Sequence, residues 1–283
     1  MNAPELLPLI DIQSQIDTRQ LPIQAVGVKG VRYPVRLRAG HANHIGQGRS
    51  TDTVGHWTMS VGLAATAKGT HMSRFIELLE APRDALDLPG FAAMAREMLQ
   101  RLGADSGRIS VQFPYFLRKA APVSGVESLL DIDATWACHI PTQGAEPELS
   151  MTLTVAATSL CPCSKEISAY GAHNQRSHIT LNVQLRQAMS IEELARVAED
   201  SASCAVYGLL KRVDEKHVTE RAYDNPKFVE DLVRDVALAL ASEPRVKAYE
   251  VEVENFESIH NHSAFATIEQ QYNPELRYKL AHM

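Results

Sequence analysis

The chain has few features that would cross-link it, anchor it in a membrane or attach it to a polyanion. Only four of its 283 residues are cysteine, and their uneven spacing does not suit a disulfide scaffold. No apolar run approaches the roughly 20 residues of a membrane span, and the first residues lack the basic region and cleavage site of a secretory signal. The net charge is −6, so a nucleic-acid polymer is not the expected main partner. We therefore expect a cytoplasmic protein with reduced thiols.

The composition is that of a folded globular protein. Hydrophobic residues make up 45% of the chain and charged residues 22%, which excludes wholesale disorder. Apolar and polar residues alternate through several segments, which predicts strands with one buried face and favours antiparallel pairing. The predicted strands lie at residues 57–65, 130–140, 151–157, 179–185 and 249–253.

Four other segments are predicted to be helices. The two longest have apolar residues at the helical period, and the second of them follows Asp224, Asn225 and Pro226, a capping side chain followed by a proline suited to the first turn. The predicted helices are 71–80, 89–102, 191–212 and 226–241.

The remaining segments predict an arm, a loop and a faint repeat. Residues 1–22 contain three prolines and no sustained period, so we expect an arm that is poorly ordered or packed on a neighbouring subunit. Residues 40–52 are rich in glycine and histidine and are expected to form a loop. Residues 63–66 (LAAT) resemble residues 155–158 (VAAT) at an offset of 92, which suggests two duplicated units, with chance as the alternative.

The densest group of reactive residues lies at 159–178, SLCPCSKEISAYGAHNQRSH. Cys161 and Cys163 flank a proline, a spacing unsuited to an internal disulfide, and His173 adds a nitrogen ligand or proton carrier. Lys165 and Arg176 are placed to stabilise a thiolate, the form that reacts and binds metals. The alternatives are a small structural zinc knot or two buried thiols.

Three further clusters contain candidate carboxylates and histidines. Glu215, in the run DEKH, could complete a mixed Cys/His/Glu metal site with an open position; otherwise it belongs to a solvated charged turn. His260 lies in a polar segment, either a site loop or an ordinary surface loop. Glu230 is either a carboxylate that reads the N–H edge of a purine or a plain exposed helix residue.

Basic residues at the ends of predicted strands are candidates for binding a phosphate chain. No phosphate-binding P-loop and no dinucleotide fingerprint occurs in the sequence, but backbone N–H groups at helix starts also suit anions. The basic candidates are Lys68, Arg74, Lys165 and Arg176.

The run around the two cysteines, with GTHMSRF upstream and the DEKH and HNHSAF segments downstream, resembles the prokaryotic type IB GTP cyclohydrolase I family. The resemblance covers residues 40 to 270 approximately. It implies an α+β bimodular tunnelling fold, with antiparallel sheets and helix pairs packed on one face. The implied units are about 23–145 and 146–283, in a homotetramer whose active sites lie between subunits.

The resemblance also implies a reaction and a set of roles. The reaction is hydrolysis of GTP to 7,8-dihydroneopterin triphosphate and formate, at the start of folate and pterin biosynthesis, with zinc or manganese as cofactor. Cys161 matches the metal-associated cysteine and Cys163 the essential thiol near the purine C8. The matches to the remaining metal or proton-transfer positions are His173, Glu215 and His260, and Glu230 matches the guanine anchor.

Two other functions are alternatives at this point. One is a nitrile reductase of deazaguanine metabolism on the same fold, which would need NADPH and no metal. The other is a non-catalytic purine- or pterin-binding protein with a structural zinc. The pairing of Cys161 with His173 and Glu215 favours the metal-dependent enzyme.

Overall fold

The computed structural model describes residues 11–13, 15–40 and 50–270, and within them the chain forms nine strands and six helices. The strands are β1 (Ile23–Arg38), β2 (Ser50–Leu63), β3 (Gly107–Ala120), β4 (Glu127–Ile140), β5 (Glu148–Leu160), β6 (Asn174–Leu185), β7 (Cys204–Ala205), β8 (Val246–Phe256) and β9 (Ala264–Gln270). The helices are α1 (Ser73–Glu80), α2 (Leu88–Leu102), α3 (Pro162–Ile167), α4 (Ile191–Ser201), α5 (Arg212–Asp224) and α6 (Val229–Ser242).

The expected antiparallel α+β fold is confirmed. All strands belong to one antiparallel sheet in the order β1-β2-β3-β4-β5-β6-β8-β9, and the short β7 pairs with β5. Alternate strand residues join the helices in a single hydrophobic core, while the opposite face of the sheet is polar. Phe91 of α2, for example, packs between Trp57 and Trp136 at ring-centroid distances of 6.3 and 5.8 Å. Burial of one such aromatic side chain contributes about 2–3 kcal/mol to folding.

Two helix predictions are wrong at their boundaries. The helix predicted over 191–212 ends at Ser201, because the chain turns back to the sheet: Ser203 Oγ accepts from the Leu160 N–H at 3.2 Å, and β7 pairs with β5. The helix predicted from Pro226 begins at Val229 instead. Pro226 lies between two helices, since α5 ends at Asp224; this helix also contains the DEKH run, for which a charged turn was one of the two interpretations.

The 92-residue sequence match does not follow the order of elements. Apart from the short α3 and β7, each half of the chain contains two strands, then helices, then two strands, so β2 corresponds in order to β6. The match instead aligns the end of β2 with β5. The short LAAT/VAAT similarity is therefore not the structural repeat.

The described part of the N-terminal arm is attached to its own chain. The Asp17 N–H donates to the Thr66 carbonyl at 2.8 Å, and Gln13 Nε2 donates to the Thr70 carbonyl at 3.1 Å. The predicted loop 40–52 ends earlier than expected, because β2 begins at Ser50. Residues 1–10, 14 and 41–49 of these two predictions lie outside the described residues. Among the described residues, no helix is long and apolar enough to cross a membrane.

Candidate active site

The residue that caps helix α3 is Cys161, directly after β5. Pro162 occupies the first helical position, where its fixed φ suits the turn and its missing N–H is not needed. The Ser164 N–H points to Cys161 Sγ at 3.5 Å. The sulfur therefore takes the place that a side-chain oxygen occupies in most helix N-caps.

One serine connects Cys161 to His173. Ser164 Oγ donates to the Cys161 carbonyl at 3.1 Å and accepts from the His173 N–H at 3.2 Å. The Cys161 N–H also donates to the His173 carbonyl at 3.1 Å, which extends the β5–β6 pairing by one step. A thiol and an imidazole, twelve residues apart in the sequence, thus project from neighbouring points of the backbone.

The imidazole of His173 is contacted on one nitrogen by two side chains. Its Nδ1 lies 3.1 Å from Gln175 Oε1 and 3.2 Å from Ser258 Oγ. Gln175 is on β6 and buried, whereas Ser258 is in the exposed turn that follows β8. This turn also contains His260, whose ring stacks on His262 at 5.3 Å and whose Nδ1 lies 3.6 Å from Glu257 Oε2.

A buried polar chain lies under the ends of β5, β6 and β8. Ser177 Oγ is 2.7 Å from Ser159 Oγ and 2.6 Å from Asn255 Oδ1, and all three side chains are at most 2% exposed. Because a hydroxyl has one proton, Ser177 donates to Asn255 and accepts from Ser159. Satisfied buried polar groups of this kind specify one arrangement of the strand ends that carry Cys161, His173 and Ser258.

The second thiol and the basic residues of the motif have different environments. Cys163 is exposed, in the first turn of α3. Lys165 Nζ donates to the Tyr223 carbonyl at 2.5 Å and lies over the Tyr223 ring, so it fastens α3 to the end of α5. Arg176 is exposed on β6, on the polar face of the sheet.

The carboxylates of the DEKH run separate into two roles. Asp214 is fully buried and accepts hydrogen bonds from Val123, Ser124 and Lys211. Burial raises the pKa of Asp214, but hydrogen bonds from Ser124 and the neighbouring backbone outweigh it and hold that pKa well below its usual range. Glu215 is exposed in the first turn of α5, about 12 Å along the helix from the end that contacts α3.

The other candidate residues lie in three places. Glu230 is exposed in the first turn of α6, and the segment before this helix is tied to the site because the Lys227 N–H donates to the Leu160 carbonyl at 3.0 Å. Arg74 belongs to the other half of the chain, where Nη1 donates to the Arg101 carbonyl at 3.0 Å. Lys68 Nζ donates to Gln15 at 3.1 Å.

Within the described residues, no three His, Cys, Asp or Glu side chains are placed to hold a metal ion together. The single chain brings together Cys161 and His173, with the turn of His260 and the start of α6 beside them. Glu215 and Arg74 of the same chain are not part of this group.

Three residues that contribute to the site geometry were not among the sequence candidates. They are Ser164, Gln175 and Ser258. Ser164 and Gln175 are inside the motif, each next to a candidate position, but nothing in their residue type separates them from surface serine and glutamine. Ser258 becomes visible only when β8 is paired with β6.

The fold is the tunnelling fold known from uricases. A uricase from Arthrobacter globiformis matches with a TM-score of 0.51, at 9% identity, covering 89% of this chain and 94% of that one. A uricase from Bacillus fastidious matches with a TM-score of 0.50, at 11% identity, covering 92% and 95%. At such low identity, these similarities establish the architecture alone.

Sequence similarity defines the family within this fold. The model of the family described as GCHY-1, type I GTP cyclohydrolase FolE2, matches residues 9–266. GTP cyclohydrolase FolE2 1 of Dechloromonas aromatica is 61% identical over 95% of this chain and 98% of its own length. GTP cyclohydrolase FolE2 of Burkholderia ambifaria is 56% identical over 95% and 96%. The chain belongs to the type I GTP cyclohydrolase FolE2 family, a family of enzymes.

Proposed function

We propose that this enzyme hydrolyses GTP to 7,8-dihydroneopterin triphosphate and formate, the entry to pterin and folate synthesis. The observation that carries the proposal is family membership over nearly the whole chain. It is supported by the placement of Cys161, the exposed Cys163 and His173 at one end of the sheet.

A divalent metal, zinc or manganese, is the proposed cofactor, held by Cys161, His173 and Glu215. Thiolate, imidazole and carboxylate are donors that catalytic zinc sites use, and the first two are adjacent here. When bound, such an ion supplies Lewis acidity that favours deprotonation of water near neutral pH. The third donor is not beside the other two in one chain, so its assignment depends on the assembly proposed below.

The reaction needs proton transfers that the side chains of this chain can perform. Attack on C8 of guanine and opening of the ring require a proton donor or acceptor near C8. The exposed thiol of Cys163 is the proposed group. His260 is the proposed proton carrier, because its turn is beside His173 and a histidine that holds a metal cannot also act as a free base.

Substrate recognition is assigned to one carboxylate and three cations. Glu230 accepts the N1–H and exocyclic amine of guanine as a bidentate pair, which adenine would leave unpaired. Arg176 is exposed and available to a triphosphate. Arg74 and Lys165 each donate to a backbone carbonyl. To bind a phosphate, either side chain must release that carbonyl or use its remaining N–H groups.

We infer a homotetramer with active sites between subunits, each chain containing two tunnelling-fold units at about 23–145 and 146–283. Glu215 lies outside the Cys161–His173 group of its own chain, and a second copy could supply it. Large apolar side chains are exposed around this end of the sheet, as expected of a surface that another subunit covers. They are Ile167, Tyr170, Ile259 and Phe265.

The test is to incubate metal-stripped protein with GTP, with and without zinc or manganese, and to follow dihydropterin absorbance and formate together. Metal-dependent formation of both products is expected. Formate without the pterin would restrict the reaction to ring opening, and GTP that is bound but unchanged with either metal would contradict the proposal. The enzyme is expected in the cytoplasm, where its four cysteines, all free thiols in the structure, stay reduced.

A further inference from the structure

We infer that Gln175 is a positioning residue that fixes the tautomer of His173, so that the Nε2 atom of the imidazole carries the lone pair offered to the site. This inference rests on the proposed metal site, but its geometry is that of the protein alone. Gln175 Oε1 lies 3.1 Å from Nδ1 of His173. A carbonyl oxygen accepts and does not donate, so this contact requires the proton on Nδ1.

The burial of Gln175 makes the contact specific. Gln175 is 7% exposed and is paired with Ser159 across the β5–β6 ladder, next to the buried Ser159–Ser177–Asn255 chain. A glutamine held there loses little further entropy when it contacts the ring. Ser258 Oγ, at 3.2 Å from the same nitrogen, comes from an exposed turn and can rotate either way.

The backbone of His173 is held as well as its ring. Its N–H donates to Ser164 Oγ and its carbonyl accepts from the Cys161 N–H. With the main chain and Nδ1 both bound, Nε2 is the ring atom left to face a ligand. Histidines that bind metals usually donate their other N–H to an oxygen in this way, which raises ligand basicity and holds the ring orientation.

The test compares three variants. In Gln175→Met the acceptor is removed at nearly constant volume, and in Gln175→Glu it is kept. The matched control is Gln184→Met, which changes the same residue type at an exposed position of the same strand. Thermal unfolding of each variant shows whether a change in tautomer or zinc affinity is accompanied by a loss of stability.

The first measurement is the tautomer of His173 in the metal-free protein, from long-range proton–nitrogen correlations of histidine-labelled samples, with the signal assigned by its loss in His173→Asn. We expect an Nδ1–H imidazole in the wild type, in Gln175→Glu and in Gln184→Met. In Gln175→Met we expect a mixture with the Nε2–H form. An Nε2–H wild type, or an Nδ1–H ring unchanged in Gln175→Met, would overturn the inference.

The second measurement is the zinc dissociation constant, determined by competition with a chromophoric chelator. Gln175→Met is expected to weaken binding roughly 10–100-fold, while Gln175→Glu and Gln184→Met stay within a few-fold of the wild type. Equal affinity in Gln175→Met and wild type would contradict the inference. A wild-type protein that binds no zinc or manganese would instead contradict the proposed metal site, and the tautomer result would then decide this inference by itself.

Discussion

Two polar regions of this molecule use charged and reactive side chains in opposite ways. The thiol site consists of Cys161, Cys163, His173 and the side chains that hold them, Ser164, Gln175 and Ser258. The junction is the contact between β3 and α4, one from each half of the chain, and contains Tyr115, Lys119, Glu192, Glu199 and Tyr207 around a cavity of about 370 Å³.

In the junction, the charged groups are largely buried, with the Lys119 and Glu199 side chains 9% and 12% exposed, and they contact neighbouring polar groups. Lys119 Nζ donates to Glu199 at 2.5 Å and to the Val206 carbonyl at 2.6 Å, and it lies over the Tyr207 ring. The Tyr115 hydroxyl donates to Glu192 at 2.5 Å. Burial raises the pKa of Glu199, although the neighbouring Lys119 opposes the shift. These contacts join β3 to α4 and to the segment after β7.

In the thiol site, a buried polar chain lies under the strand ends, while the candidate reactive groups are at least partly exposed. Cys163 is exposed, Cys161 and His173 are half-buried, and the Ser159–Ser177–Asn255 chain below them is closed to solvent. The comparison teaches that a charged or nucleophilic residue type does not identify a site. A better indicator of a candidate site is a nucleophilic or ligating atom that is accessible to solvent and lies next to buried polar groups whose hydrogen bonds are all made.

The largest expected effect is on turnover at the thiol site. Cys163→Ala should reduce kcat for GTP roughly 10³-fold, because proton transfer by a positioned side chain contributes about 10²–10⁴-fold. The melting temperature should be unchanged, since this thiol is exposed. Steady-state kinetics and thermal unfolding check both parts.

The matched control for that variant is Cys138→Ala in the core. This thiol is fully buried, and burial raises its pKa to about 11, so it should affect stability and not kcat. Normal turnover in Cys163→Ala would remove the proposed role of Cys163, and a kcat loss in folded Cys138→Ala would show that loss of kcat is not specific to the thiol site.

The next effect is on the stability of the junction. Lys119→Met leaves the largely buried Glu199 without its partner, which should lower the free energy of unfolding by about 3 kcal/mol. The control is Lys216→Met, whose pair with Glu220 has side chains 71% and 59% exposed and should contribute less than about 1 kcal/mol. Urea denaturation measures both, and equal losses would contradict the contrast between buried and exposed pairs.

A third effect concerns substrate recognition. Glu230→Gln keeps the size of the side chain but removes its charge, so KM for GTP should rise roughly 10–100-fold with folding intact, as expected for hydrogen bonds to a charged group. Glu220→Gln, also exposed on a helix, serves as the control. An unchanged KM in Glu230→Gln would show that the guanine anchor is another residue.

The smallest effect is the pH dependence of the stability that Asp214 contributes at the start of α5, where its carboxylate caps the helix by accepting from the Lys211 N–H. Asp214 has a pKa below its ordinary value of 3.8 in the folded protein, so its contribution is complete above that pH and is lost as the pH falls through the lower folded value. Asp214→Asn should lower the melting temperature by roughly 3–8 °C at pH 7. The difference from wild type should narrow below about pH 4.

The control for the cap is Asp224→Asn, an exposed carboxylate at the other end of the same helix. It should change the melting temperature little at any pH. A gap between wild type and Asp214→Asn that stays constant from pH 7 to pH 3 would contradict the assigned hydrogen bonds.

Much of the fold could be predicted because its causes are local. Period-two alternation depends on which face of a strand is buried, and residues 57–65 and 151–157 lie in β2 and β5 over most of their length. The helix over 191–212 was too long because its apolar spacing continues past Ser201, while the chain there pairs with β5. A contact with a strand over forty residues away outweighed the local period.

The sequence by itself determined the antiparallel α+β class and the family, since these depend on residue order within short segments, and the same motif supplied Cys161 and Cys163 as candidate site residues. Only the tertiary structure decided which neighbouring polar residues serve folding and which remain open. Asp214 and Glu215 are adjacent and chemically alike, yet the β3–β4 turn buries one with Val123 and Ser124 and leaves the other exposed. The same holds for the burial of Gln175, which depends on the pairing of β6 with β5 at Ser159. Burial and hydrogen-bond partners come from segments far apart in the chain, and no local pattern contains them.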